Sequence, residues 1–156
     1  MTLSDVAELV AGWQEPLGLT TWNLTIELVA NPGDNDDALA SCTPDGPYER
    51  ATLQFADALL QYPPRRVEEA VVHELLHLTC RDLTFAIQDA EEQLGPVAGP
   101  MFHNRTLHEL EGVVDKVATL LVDFCYSDEE CTPSSAGTES DSTPDSPGGS
   151  TPSTNA

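Results

Sequence analysis

Residues 65–82 follow Pro63-Pro64 and contain neither glycine nor proline, a pattern that predicts one uninterrupted helix. Wound at about 100° per residue from Val67, Val71, Leu75 and Leu78 fall between roughly 20° and 80°, with Val72 and Leu76 beyond them. His73, His77 and Glu74 fall at roughly 240°, 280° and 340°. One arc is apolar and must be covered by other elements. A separate arc presents two imidazoles and a carboxylate. Any fold for this chain has to bury the first arc and leave the second accessible.

The rest of the chain supplies the cover. Leu3, Val6, Leu9, Val10 and Trp13 recur at helical spacing, with Ser4 or Asp5 as cap, and Pro16 and Gly18 end that helix. Trp22, Leu24, Ile26 and Leu28 then alternate with polar residues, the period of a half-buried strand. Residues 31–47 are rich in Asn, Asp, Gly and Pro and read as an exposed loop. A second strand is expected at 48–56, with Ala51, Leu53 and Phe55 on one face. After the long helix, a shorter one is expected at 84–94, a loop through Gly95-Pro96 and Gly99-Pro100, and a last helix at 105–125. Two strands make a marginal sheet, so a further short strand is expected in 31–47 or near 57–62. The predicted class is α+β, a small sheet packed on the His73–His77 helix and on a C-terminal helix. The folded domain is expected at 1–126. From Ser127 to Ala156 the composition collapses to Ser, Thr, Pro, Gly and acidic residues, which predicts a disordered tail.

His73-Glu74-Leu75-Leu76-His77 is an HExxH string. Histidines at i and i+4 lie one turn apart on the same helix face, so both imidazoles can reach one Zn²⁺. The Glu beside the first His can take a proton from a metal-activated water. The spacing therefore nominates His73 and His77 as metal ligands and Glu74 as general base. Catalytic zinc usually takes three protein ligands, and the downstream candidates are His103, His108, Glu109, Glu111 and Asp115. On the last helix the apolar seam is expected at Leu107, Leu110, Val114, Val117, Leu121 and Phe124. Relative to Leu107, Glu109 falls at roughly 200°, facing water, and Glu111 at roughly 40°, on the seam's edge. A carboxylate beside an apolar seam is costly unless paired or metal-bound, which favours Glu111 as third ligand, with His108 the main alternative. Asp115, one turn further on, is placed to accept the Nδ1–H of His73 or His77. An oxyanion donor is not fixed by the motif; Tyr48, Tyr62, His103, Arg105 and His108 are all candidates.

Charge narrows the partners. The chain carries 27 acidic and 6 basic residues, net −21, and −15 remains after the tail is set aside. Such a surface repels phosphate backbones and disfavours nucleic-acid binding. No segment approaches the roughly 18 apolar residues of a membrane span. Met1-Thr2-Leu3-Ser4-Asp5 lacks a basic, then apolar, leader, and the four cysteines show no CxxC spacing. Free thiols and a cytoplasmic location are expected.

On these residues the chain resembles the gluzincin branch of the zincins, metallopeptidases with HExxH and a downstream Glu ligand. It looks closer still to small metallopeptidases of phages and actinobacteria, on three segments spread over about residues 15–125. These are a Trp-led strand (Trp22-Asn23-Leu24-Thr25-Ile26), a second strand at Tyr48–Phe55 with the HELLH helix, and a late helix around Glu111–Ala118. The resemblance implies zinc on His73, His77 and Glu111, Glu74 as general base, and an edge strand, 48–56, that pairs with an extended peptide substrate. A phage-encoded chain would work in the host cytoplasm. The departures are the missing metzincin extension after His77 and the 34-residue separation of His77 from Glu111. The reaction class implied is peptide-bond hydrolysis. The competing expectation is a catalytically idle zincin scaffold serving as a phage-type binding or structural protein. A DNA-associated zincin of the SprT type fits poorly with the acidity and with the lack of a basic zinc ribbon.

Overall fold

The computed structural model describes residues 1–33, 38–46 and 48–130. Helix α1 (Leu3–Gln14) precedes three strands, β1 (Asn23–Val29), β2 (Ala40–Pro44) and β3 (Arg50–Ala56). A 3₁₀ turn at Asp57–Gln61 leads into α2 (Pro64–Thr79), and α3 (Arg81–Glu130) completes the chain. The class is α+β: three helices and a small mixed sheet. The helix α1 is capped by Thr2, not by Ser4 or Asp5. The Thr2 hydroxyl accepts from Asp5 N–H and the Asp5 carboxylate accepts from Thr2 N–H, a reciprocal capping box.

The sheet corrects the expected place of the 48–56 strand and supplies the further short strand expected in 31–47. Its order is β1-β3-β2, with β1 parallel and β2 antiparallel to β3. The strand expected at 48–56 is thus the central one and not the edge. Its Ala51, Leu53 and Phe55 are buried, as a strand with neighbours on both sides requires. The edges are β1 and β2, and β2 lies inside the stretch read as a loop, where a hidden short strand was one of two expectations. Ala40, Cys42 and Pro44 pair across from Phe55, Leu53 and Ala51. Only a five-residue strand with weak alternation forms there, so composition conceals it.

Helix α2 sits at the centre of the domain. Val67, Val71, Val72, Leu75 and Leu78 face the sheet, α1 and α3 and are buried, and Trp13 Nε1 donates to Glu68 Oε1 at 2.8 Å, tying α1 to α2. The expected helix at 65–82 is divided at Cys80 (φ −90°, ψ 6°), whose N–H still bonds back to Leu76 O. Thr84 N–H bonds in turn to Cys80 O, so helical hydrogen bonding carries on from α2 into α3.

The stretch at 95–104, expected as a loop, is instead a sharp bend within α3. Gly95 alone leaves helical geometry (φ 72°, ψ −176°), a region open essentially to glycine, and helix resumes at Pro96. The two limbs touch closely at Gly99, where any Cβ would collide with the Glu91 carbonyl oxygen. The second limb returns along α2 through Leu110, Val114, Ala118 and Val122. This buried line departs from the expected seam. Val117 and Phe124 are exposed and Ala118 and Val122 take their places, because a straight helix drifts from a 3-4 repeat over several turns. Helix continues to Glu130, past the expected limit at 125 and into the expected tail; the rest of that tail, 131–156, lies outside the described residues. Among the described residues no helix is long and apolar enough to cross a membrane.

Candidate metal centre

The arc of α2 left free by core packing meets the second limb of α3. His73 Nε2 and His77 Nε2 lie 3.0 Å apart, with the rings 4.8 Å apart between centroids and inclined at 70°. Glu111 closes a triangle: Oε2 is 3.5 Å from His73 Nε2 and Oε1 is 3.6 Å from His77 Nε2. Donors held about 2.0 to 2.1 Å from a zinc-sized ion in a tetrahedron are about 3.4 Å apart. The three separations bracket that value. His73, His77 and Glu111 could therefore hold one metal ion, and among the described residues they form the one such group.

Glu111 reaches the triangle by a route other than the one its helical position suggested. It is half-exposed, at 50 % of its side chain, and not tucked into apolar packing. At its level α3 faces an open cleft, and the carboxylate projects across it toward α2. Asp115, one turn on, accepts at 2.9 Å from His73 Nδ1. With the proton on Nδ1, the Nε2 lone pair of His73 is free to bind a cation. His108 is exposed and stands apart from the triangle. His103 is held in the α3 bend, its Nδ1 2.8 Å from Glu91 Oε2.

Glu74 is the only buried charged residue among those described. Its position at the margin of the apolar arc explains this, since it neighbours Val71 and Leu78 around the helix. Burial, and then repulsion from Glu111, push its carboxyl up to about 8. A cation among the three donors opposes both effects. Burial also holds His77 below its ordinary value; Glu111 and Asp115 pull it up, and His73 pushes it down. A lowered pKa favours the neutral imidazole, which is the form that ligates.

The triangle opens into a cleft of about 500 Å³. Its walls are β2 (Ala40, Ser41, Cys42, Pro44), the α2 face, and α3 residues Phe85, Leu107 and Leu110. A second, smaller opening of about 280 Å³ lies on the other side of His73 and Glu74, beside Ala70 and Ala118. None of Tyr48, Tyr62, His103, Arg105 and His108, the residues considered as oxyanion donors, lines either opening. Sequence reading overlooked Arg81, which does line the cleft. Its signal was available: Arg81 follows His77 by the same four residues that separate His77 from His73.

The thiols of Cys42, Cys80 and Cys125 are free, as expected; Cys131 lies outside the described residues. No family model matches the chain, and no curated protein or solved structure matches it either.

Proposed function

We propose that this chain is a zinc-dependent peptidase of the zincin type, with His73, His77 and Glu111 as zinc ligands and Glu74 as general base. The observation that carries the reading is the triangle of donors at 3.0–3.6 Å with a buried carboxylate adjoining it in sequence and in the same cleft. Two imidazoles and a carboxylate suit zinc, and a set of three protein ligands would leave it able to take a water. When bound, zinc polarises a scissile carbonyl and brings the pKa of its water near neutrality.

The chain's own residues have separable tasks. His73 and His77 would hold the metal through Nε2, with Asp115, 2.9 Å from His73 Nδ1, orienting that ring and its tautomer. Glu74 takes a proton at its carboxylate and returns it to the leaving amine. In the metal-free chain burial and Glu111 raise its affinity for protons, and a bound cation would lower it toward the ionised form that a general base needs. Strand β2 has β3 on one edge and no strand on the other among the described residues. An extended peptide can add to that free edge by backbone hydrogen bonds, which places it over the cleft that β2 lines. The partner implied is a peptide or protein.

The test is metal analysis combined with turnover. Wild type should carry a single equivalent of zinc, Glu111→Ala should lose most of it, and His108→Ala should keep it. Full zinc in Glu111→Ala with loss in His108→Ala would overturn the ligand set. Glu74→Gln should keep zinc and lose peptide hydrolysis by about 10²-fold or more. If zinc-loaded wild type hydrolyses a peptide library no faster than Glu74→Gln, the chain is the idle scaffold and not a peptidase.

A further inference from the structure

The six basic side chains of this acidic chain are unequally employed. Arg50 pairs with Asp45, Arg65 with Glu69 and Asp123, and Arg66 with Glu69, all on the surface. Arg81 alone among Lys and Arg lines the cleft beside His77 and Glu111, among the described residues. Its guanidinium carbon lies over two rings, 5.0 Å from the Trp22 ring centroid and 5.8 Å from that of Phe85. Such cation–π contacts restrict where the guanidinium can sit.

Its donors, by contrast, are poorly met. Nη1 reaches Tyr48 O and Nη2 reaches Asp82 Oδ1, each only at 3.4 Å, and Nε is buried without a hydrogen-bond partner. The Asp82 side chain is 90 % exposed, so that contact is a weak, solvated one. A buried Nε–H left without an acceptor is costly. A cation whose Nη contacts are long, four residues after His77 and lining an open cleft, matches a planar carboxylate.

We infer that Arg81 is a specificity residue that binds a carboxylate of the peptide, within about three residues of the scissile bond given one helical turn and the length of the side chain. The preferred substrate is therefore acidic near the cleavage point. The inference rests on the peptidase reading above, and it specifies the substrate class for that site. The carboxylate comes either from an Asp or Glu side chain or from the free C-terminus of a short peptide. The net charge of −21 repels acidic peptides at long range. That repulsion is screened beyond roughly 8 Å at physiological salt, so a short-range Arg81 contact decides.

The test measures binding, with hydrolysis as a second readout. Zinc-loaded Glu74→Gln protein is titrated calorimetrically with acetylated, amidated octapeptides in which one position carries Glu or Gln in turn. A matched Gln-only peptide with a free C-terminus separates the two sources of carboxylate. We expect at least one Glu position, or the free C-terminus, to bind about tenfold tighter than its neutral counterpart. Adding Arg81→Gln should bring that ratio to about one, and Arg81→Glu should turn the preference toward Lys peptides. Unchanged zinc content and melting temperature identify folded variants, and Arg81→Lys, which keeps the charge without the fork, should retain only part of the ratio. Peptide binding that is indifferent to the carboxylate or to Arg81 overturns the inference and leaves the peptidase reading intact. If no peptide is bound by the zinc-loaded protein or hydrolysed by wild type, the peptidase reading falls and the inference with it.

Discussion

Asp115 shows how much one exposed carboxylate can decide. Its oxygen is 2.9 Å from His73 Nδ1 although the side chain is 72 % exposed, so its worth to stability is small. Its effect is on the imidazole, whose tautomer it selects. Asp115→Asn should therefore weaken zinc binding by about 10- to 100-fold while leaving the melting temperature of the metal-free protein nearly unchanged, as competition with a chromogenic chelator can measure. Cys42 is a second residue whose setting overrides its intrinsic chemistry. Burial, with Glu74 adding to it, pushes its thiol up to about 12. At pH 8, iodoacetamide should label exposed Cys125 well before Cys42, as read by mass spectrometry. The sign of the linkage follows from the raised value. Below about pH 9 the thiol is neutral whether the chain is folded or not; between there and about 12 only the unfolded chain loses the proton, so stability falls as pH rises. Cys42→Ala should lessen that alkaline loss in thermal melts at pH 8 and 10.

At the scale of elements, the bend in α3 is what brings Glu111 back to α2. A single left-handed glycine, Gly95, reverses the helix, and a second glycine lets the limbs close against each other. Gly99→Ala forces a methyl group into the Glu91 carbonyl, and neither backbone can retreat without parting the limbs. The expected cost is about 1 to 3 kcal/mol. Because Glu111 rides on the displaced limb, zinc affinity should fall as well, by about tenfold. Chemical denaturation and zinc titration together check this; a variant that loses stability yet keeps full affinity would show that Glu111 is positioned by α2 packing alone. Helix α2 needs no such device. Its buried valines and leucines hold it between sheet and helices, and the histidine arc is what that packing leaves over.

Across the whole molecule, a metal on His73, His77 and Glu111 would cross-link the central helix to the last one. Removing zinc with EDTA should therefore lower the melting temperature, by about 10 °C when free zinc stood near a thousand times Kd. An unchanged melting temperature would mean that the metal does not bridge α2 and α3. Much of this arrangement is legible in the chain itself. The 3.6-residue pattern of α1 and α2, the alternation of β1 and β3, and the i, i+4 histidines with their glutamate are local properties, set by a few consecutive residues. What is not local is not legible. Strand β2 exists because β3 offers an edge to pair with, and nothing in Ala40–Pro44 announces it. The central place of β3, the single-glycine bend at Gly95 in place of a loop, and the buried line through Ala118 and Val122 all depend on what packs against what. The same holds for the cleft. Sequence alone nominated Glu111 and Asp115 among several downstream candidates, but only the return of α3 brings them 3.5 Å and 2.9 Å from His73. Sequence alone likewise left Arg81 as one more base after a histidine, and tertiary packing sets it against Trp22 and Phe85 in the cleft that β2 lines. Periodicity and spacing determine which face a residue takes on its own element; only tertiary packing decides which other element that face meets.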